Sequence, residues 1–243
     1  MWFTTSWDDG HPLDLRLAGL MARHGICGTF YCPVENVEGL PVMSAVDMRA
    51  LDGSYEIGSH TLDHVYANRL SARQWAVQVV RGKAALEDRL GHAVQGFCYP
   101  GGKLTRASAS AVQRAGFGYA RTTENFRIDC GADRLRMPTS LQFFPHSRSV
   151  LWRNFAAHGK WGRRWPLARA CLSTADFELR LRAALDVATR GGFGFHLWGH
   201  SWEIDIYGLW PQLDRFFAHV ADTLPVSARL SNAGVLRSLG VLE

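Results

Sequence analysis

The chain has no Cys-x-x-Cys pair, and its five cysteines, Cys27, Cys32, Cys98, Cys130 and Cys171, are odd in number. That excludes a zinc knuckle and gives no disulfide framework, so reduced, packed cysteines are expected. No run of about 18 apolar residues is present, which excludes a transmembrane helix. The N-terminus starts a strand pattern at once, without a basic segment, an apolar core and a cleavage site. A soluble, unexported and therefore cytoplasmic protein is the expectation. No internal repeat, low-complexity tract or linker breaks the 243 residues, 47% of them hydrophobic, so a single α/β domain over 1–243 is expected.

Acidic residues are missing from one stretch. Between Arg148 and Arg169 stand Arg148, Arg153, Lys160, Arg163, Arg164 and Arg169, together with Trp152, Trp161 and Trp165. This basic, Trp-rich insertion around 145–172 reads in two ways. It is either a solvated insertion whose tryptophans pack locally, or a surface for phosphate head groups or an anionic glycan, placing the protein peripherally at an inner membrane face. The net charge of +5 at pH 7 identifies no partner by itself. Without a nucleic-acid module, no nucleic acid is expected.

What is present is a repeated alternation of strand and helix patterns. Strands are predicted at Phe3 to Trp7, Gly28 to Cys32, Tyr55 to Ser59, Gln95 to Tyr99, Tyr119 to Thr123, Leu135 to Leu141 and Phe193 to Trp198. Helices are predicted at about Pro12 to His24, Ala72 to Leu90 behind a Ser71 cap, Arg106 to Ala115, Thr174 to Arg190 behind a Ser173 cap, and Trp210 to Asp222. A short strand and a helix are expected after Val226. Such βα units give a mainly parallel sheet, and right-handed crossovers place every strand C-terminus on one rim.

Chemistry-bearing residues gather at those ends. Asp8-Asp9-Gly10 follows the first strand, and His60-Thr61-Leu62-Asp63-His64 follows the third. Each alone is common, the first as turn chemistry and the second as a helical i, i+4 pair. Together they form a facial set of one carboxylate and two imidazoles, Asp9, His60 and His64, with His60 and His64 on one helical turn and Asp63 pointing elsewhere. Asp8 is then free to act as general base. His200, after the last strand, is the candidate general acid with Glu203 or Asp205 orienting it, and His196 is a core histidine. In Tyr99-Pro100-Gly101-Gly102 the Gly101 amide is either an oxyanion donor or part of a plain strand-ending turn.

Ser6-Trp7-Asp8-Asp9-Gly10, His60-Thr61-Leu62-Asp63-His64, Tyr99-Pro100-Gly101-Gly102 and His200-Ser201-Trp202-Glu203 resemble, in this order, the motifs of NodB-type polysaccharide deacetylases (carbohydrate esterase family four). Gly28-Thr29-Phe30-Tyr31 also resembles the family's second strand. The resemblance implies a distorted (β/α) barrel of about seven strands, one divalent metal with zinc foremost, and removal of an N-acetyl group from an amino sugar. It assigns Asp8 as base, Asp9, His60 and His64 as ligands, the Gly101 amide as oxyanion donor and His200 as acid. Cys98 stands where many members have an arginine that orients the catalytic aspartate, and Arg121 is the candidate substitute. The family's aspartate–tryptophan motif is not recognisable.

The substrate expected is an N-acylated amino sugar, possibly lipid- or nucleotide-linked. Deformylation of a lipid-linked amino sugar, O-acetyl ester hydrolysis and a non-catalytic glycan-binding relic of the fold are the competing readings.

Overall fold

The structure is a computed structural model that describes residues 1–242. Its strands are β1 (Trp2–Asp8), β2 (Thr29–Cys32), β3 (Glu56–Ser59), β4 (Gly96–Cys98), β5 (Tyr119–Arg121), β6 (Leu141–Gln142), β7 (Gly194–Gly199) and β8 (Arg229–Leu230). They lie in the order β5-β4-β3-β2-β1-β7-β6 and every pairing is parallel. β8 runs beside the first half of β1, with Phe3 opposite Arg229, while β2 takes the second half, with Ser6 opposite Thr29. From Phe3 onward β1 is buried, and so is all of β7, as expected of strands covered on both faces.

The sheet curls into a distorted (β/α) half-barrel, and one segment of chain draws its edges together. Met137 N donates to Ala120 O and Thr122 N to Met137 O, both at 2.8 Å, on the β5 side. Three residues later Ser140 N donates to His196 O of β7 at 2.9 Å. The strand predicted over Leu135 to Leu141 is thus largely a strap: a 3-10 turn at Arg134–Arg136, one bridge at Met137, and regular pairing only at Leu141–Gln142. Pro138, which has no N–H, interrupts the ladder.

The helices are α1 (Asp14–Arg23), α2 (Ala45–Asp52), α3 (Ala72–Leu90), α4 (Arg106–Arg114), α5 (Arg148–Ala157), α6 (Trp161–Leu172), α7 (Phe177–Arg190), α8 (Ser201–Ile206), α9 (Trp210–Thr223) and α10 (Asn232–Ser238). Capping chemistry sets several boundaries. Ser71 and Gln74 form a capping box at α3, which ends at Gly91 with φ 82°. Ser44 and Asp47 do the same for α2, a helix the apolar pattern did not reveal. Ser173 is not the cap of α7: its hydroxyl donates back to Ala170 O at 2.8 Å, at the end of α6. Asp176 caps α7 instead, accepting from Leu179 N at 2.9 Å.

The basic insertion folds as the α5–α6 hairpin. One of its cations is internal: the Arg164 guanidinium is buried and donates to four carbonyls, Asn125 O, Phe155 O, Gly159 O and Asn154 O. It closes the C-terminal end of α5, whose last carbonyls have no helical partner. Trp165 packs on Phe155 and Trp152, with ring centroids 5.8 and 6.1 Å apart, whereas Trp161 stands 61% exposed.

At the N-terminal ends of the strands the barrel is shut by a polar network. Tyr31 OH donates to Tyr119 OH, which donates to Glu56 Oε1; Asn232 Nδ2 donates to Tyr31 OH and Thr4 Oγ1 to Asn232 Oδ1. Asn232, Thr4, Tyr31 and Tyr119 are all completely buried. The opposite, C-terminal rim carries the candidate site.

Candidate active site

Asp8 and Asp9 stand where β1 ends, and the turn gives them different directions. Asp9 has φ 78°, a left-handed conformation that costs a non-glycine residue about 1–3 kcal/mol. Its carboxylate is divided between two jobs. Oδ2 accepts from the Trp202 indole Nε1 at 2.9 Å. Oδ1 is buried, forms no hydrogen bond, and lies 3.1 Å from His64 Nε2 and 3.7 Å from His60 Nε2.

The two histidines do not share a helical turn, contrary to the i, i+4 expectation. The chain from His60 to His64 is an irregular loop, with Thr61 at φ 71° and His64 at φ 55°, and these reversals bring both rings to Asp9. α3 clamps the loop: Leu62 N donates to Gln78 O, Asp63 N to Gln78 Oε1, and Gln78 Nε2 to Asp63 Oδ2. Asp63 therefore faces α3 and not the site. Gly82 of α3 abuts the same loop, where a Cβ would stand 2.6 Å from Thr61 C.

Tautomers follow from the partners. His60 Nδ1 is 2.8 Å from Cys98 O; a carbonyl only accepts, so the proton is on Nδ1 and the Nε2 lone pair is free. Burial pushes the His60 pKa down to about 4, which keeps the ring neutral. His64 Nδ1 lies 3.2 Å from Glu38 Oε2, leaving Nε2 toward Asp9. Although burial raises the Asp9 pKa, the His64 contact and the neighbouring imidazoles hold it well below the usual carboxylate range.

Asp9, His60 and His64 present three ligand atoms within 4.8 Å of one another. A hard carboxylate oxygen without a hydrogen bond and two free imidazole lone pairs fit a divalent cation, with three protein ligands and room for others. A second grouping, Asp8, His60 and Cys98, has similar spacing. It is disfavoured because Asp8 is engaged by Arg121 and burial keeps the Cys98 thiol protonated.

Asp8 faces inward and meets Arg121, which forms a short ion pair with Asp8 Oδ1. Arg121 is completely buried, its Cζ lying 5.3 Å from the Tyr31 ring centroid and 5.0 Å from that of Trp198. Burial disfavours its charge, but Asp8 raises its pKa above the usual arginine value. The Cys98 thiol is 3.7 Å from Asp8 Oδ2, and burial pushes its pKa well up, so it is a neutral neighbour.

His200 borders the site from the start of α8. Its Nδ1 is 2.7 Å from Glu203 Oε2 and its Nε2 3.9 Å from Asp9 Oδ2. Burial opposes its charge, yet the Glu203 hydrogen bond and the Asp9 charge raise its pKa to about 9. Asp205 turns away to Arg16 and Trp210. His196 lies deeper, between Ser6 Oγ at 2.8 Å and Pro138 O at 3.2 Å.

Gly101 has φ 59° beside the rim, in a turn whose hydrogen bonds run from Gly102 N to Tyr99 O and from Lys103 N to Pro100 O. A Cβ there would stand 2.8 Å from Tyr66 Cε1.

Two residues of the site have no signal in the sequence pattern: Glu38 faces His64, and Asp14 is completely buried with neither carboxylate oxygen hydrogen-bonded. Trp202, within His200-Ser201-Trp202-Glu203, fixes Asp9. Burial raises the Asp14 pKa far above the carboxylate range.

A half-barrel of parallel strands carries this carboxylate–imidazole set on its rim. Residues 3–120 match the model of the polysaccharide deacetylase family. No curated protein matches the chain. Among solved structures, a Mycobacterium smegmatis protein provisionally described as a polysaccharide deacetylase is similar at 17% identity and TM-score 0.66, over 99% of this chain and 90% of that one. The chitin deacetylase of Colletotrichum lindemuthianum is similar at 15% identity and TM-score 0.60, over 98% and 87%. Against the Streptococcus pyogenes deacetylase PplD in complex with acetate, the values are 14% and 0.51, and the match spans 56% of this chain and 62% of that one. At such identities the likeness is one of fold.

Proposed function

We propose that the protein removes the N-acetyl group from an amino sugar of a glycan or a carrier-linked glycan precursor, releasing acetate and a free amine. The observation that carries this reading is the division at the end of β1: Asp9 presents an unpartnered oxygen to His60 and His64, while Asp8, one residue away, faces Arg121 and stays free of that set. Asp9, His60 and His64 would hold one divalent cation, zinc best suited to this donor set. When bound, the cation supplies Lewis acidity and a lowered pKa for water.

The protein's own groups do the rest. Asp8, held in place by its ion pair with Arg121, accepts the proton of the attacking water. The Gly101 amide donates to the oxygen on which negative charge develops. His200, oriented by Glu203, gives its proton to the departing amine. Trp202 holds Asp9 in place throughout.

The test is acetate release from N-acetylated sugars, free and carrier-linked, with N-formyl and O-acetyl counterparts. His60→Ala is expected to abolish bound metal and hydrolysis together. Asp8→Asn is expected to keep the ion and lower turnover by about two to four orders of magnitude. Normal metal content in the first variant, or full activity in the second, would overturn the assignment. No helix among the described residues is long and apolar enough to cross a membrane. The exposed Trp161 beside Arg163 and Arg169 supports peripheral contact of α5–α6 with an anionic inner membrane face.

A further inference from the structure

A cavity of about 520 Å³ is lined by residues that directly follow two residues of the candidate site. Gly102, which follows the proposed oxyanion residue, and Thr122, which follows Arg121, both line it. They come from the C-terminal ends of β4 and β5, so the cavity opens on the same rim as Asp8 and Asp9, toward the β5 side. Its size falls within the ~300–1,000 Å³ of small-molecule sites.

The lining is cationic and its carboxylates are oversubscribed. Arg127, Arg136, Lys160 and Arg163 line it with only Glu124 and Asp133 among the acids. Arg127 takes Glu124 at 2.8 Å and Asp129 outside the lining. Lys160 reaches the same Glu124 only at 3.4 Å, and Arg136 reaches Asp133 at 3.4 Å. Arg163 is exposed and has no acidic partner among the described residues. The field is felt by His158, on the same wall: desolvation lowers its pKa, and Arg164, Lys103 and Lys160 lower it further against Glu124.

We propose that this cavity is a subsite for a phosphate group carried by the glycan substrate, bound by Arg163, Lys160 and Arg136 while the N-acylated sugar occupies the rim at Asp8 and Asp9. Three cations from two segments, the start of α6 and the Arg134–Arg136 turn, suit a polyanion with several oxygens, whereas a sugar carboxylate is satisfied by one guanidinium. Because Gly102 and Thr122 directly follow Gly101 and Arg121, the phosphate is placed on the substrate rather than on a separate ligand. The inference rests on the deacetylation reading and names its substrate class: a phosphorylated N-acyl amino sugar, free or attached to a nucleotide or lipid carrier.

Two measurements test it. Calorimetry with inorganic pyrophosphate is expected to show binding to the wild type that weakens about tenfold in Arg163→Glu and is partly restored in Arg163→Lys. Kinetics then compare a neutral N-acetylglucosamine oligomer with N-acetylglucosamine 1-phosphate and with its nucleoside diphosphate-linked and lipid phosphate-linked forms. For the phosphorylated substrates, KM is expected to rise about tenfold relative to the neutral one in Arg163→Glu, with kcat little changed. Whichever carrier shows the largest change identifies the source of the phosphate. Equal KM shifts on neutral and phosphorylated substrates, no pyrophosphate binding, or a stronger Arg163 dependence for a uronate-bearing oligosaccharide would overturn the subsite. Arg163-dependent pyrophosphate binding without hydrolysis of any N-acyl sugar would instead sink the deacetylation reading and leave the subsite standing.

Discussion

Arg121 and His196 show how much a single buried side chain carries here. Arg121 and Asp8 form a buried ion pair, and removing one partner leaves the other charge buried alone. Arg121→Met is therefore expected to destabilise the metal-free protein by about 3–5 kcal/mol in urea denaturation, with part of the loss returned when Asp8→Asn is added. Additive losses in the double variant would refute the coupling. His196 carries the opposite lesson about charge. Burial, then Arg121, pushes its pKa well below the ordinary value of 6.5, so the unfolded chain binds its proton first. Stability from this residue is present above about pH 6.5 and falls as pH drops below it, by up to ~1.4 kcal/mol per pH unit. His196→Gln should flatten that part of the stability–pH curve; an unchanged slope would show that the ring is protonated when folded. The sequence displayed Asp8, Asp9, His60, His64 and His200 as chemistry at strand ends. Of what fixes them, Arg121 was named only as the candidate replacement for the arginine absent at Cys98, and the contact of Trp202 with Asp9 was not displayed, because it joins residues 193 positions apart.

At the scale of elements, strands and capped helices were legible because alternation, Ser or Thr caps and terminal glycines leave local marks. The His60–His64 loop was not. Its i, i+4 spacing implies a helix, yet positive φ at Thr61 and His64 comes from packing against α3, which no periodicity reports. Gly82 is where that packing is tightest. Gly82→Ala improves helix propensity by about 1 kcal/mol but puts a methyl group against the Thr61 backbone, an overpacking cost of roughly 1–3 kcal/mol. The expected result is a lower Tm and weaker metal retention, read by melting and by metal analysis after dialysis. Gly91→Ala, with open space around its Cβ, should affect stability without touching metal retention. Equal metal loss in both would separate the loop from α3. Composition likewise hid the role of Arg164, which counted as one more surface cation and is the buried tie of the α5–α6 hairpin.

For the whole molecule, parallel order and the site rim were implied by repeated βα units, while barrel closure was not, because a strap through Pro138 offers no strand periodicity. The far end of the barrel has its own consequence. Tyr31, Tyr119, Glu56, Asn232 and Thr4 seal the strand N-termini with hydrogen bonds, so the lumen has a single mouth. In the deacetylation proposed above, acetate cannot drain through the floor while the sugar stays seated; it leaves past the glycan that brought it in, and the order of product departure becomes a property of the seal as much as of the chemistry at the rim.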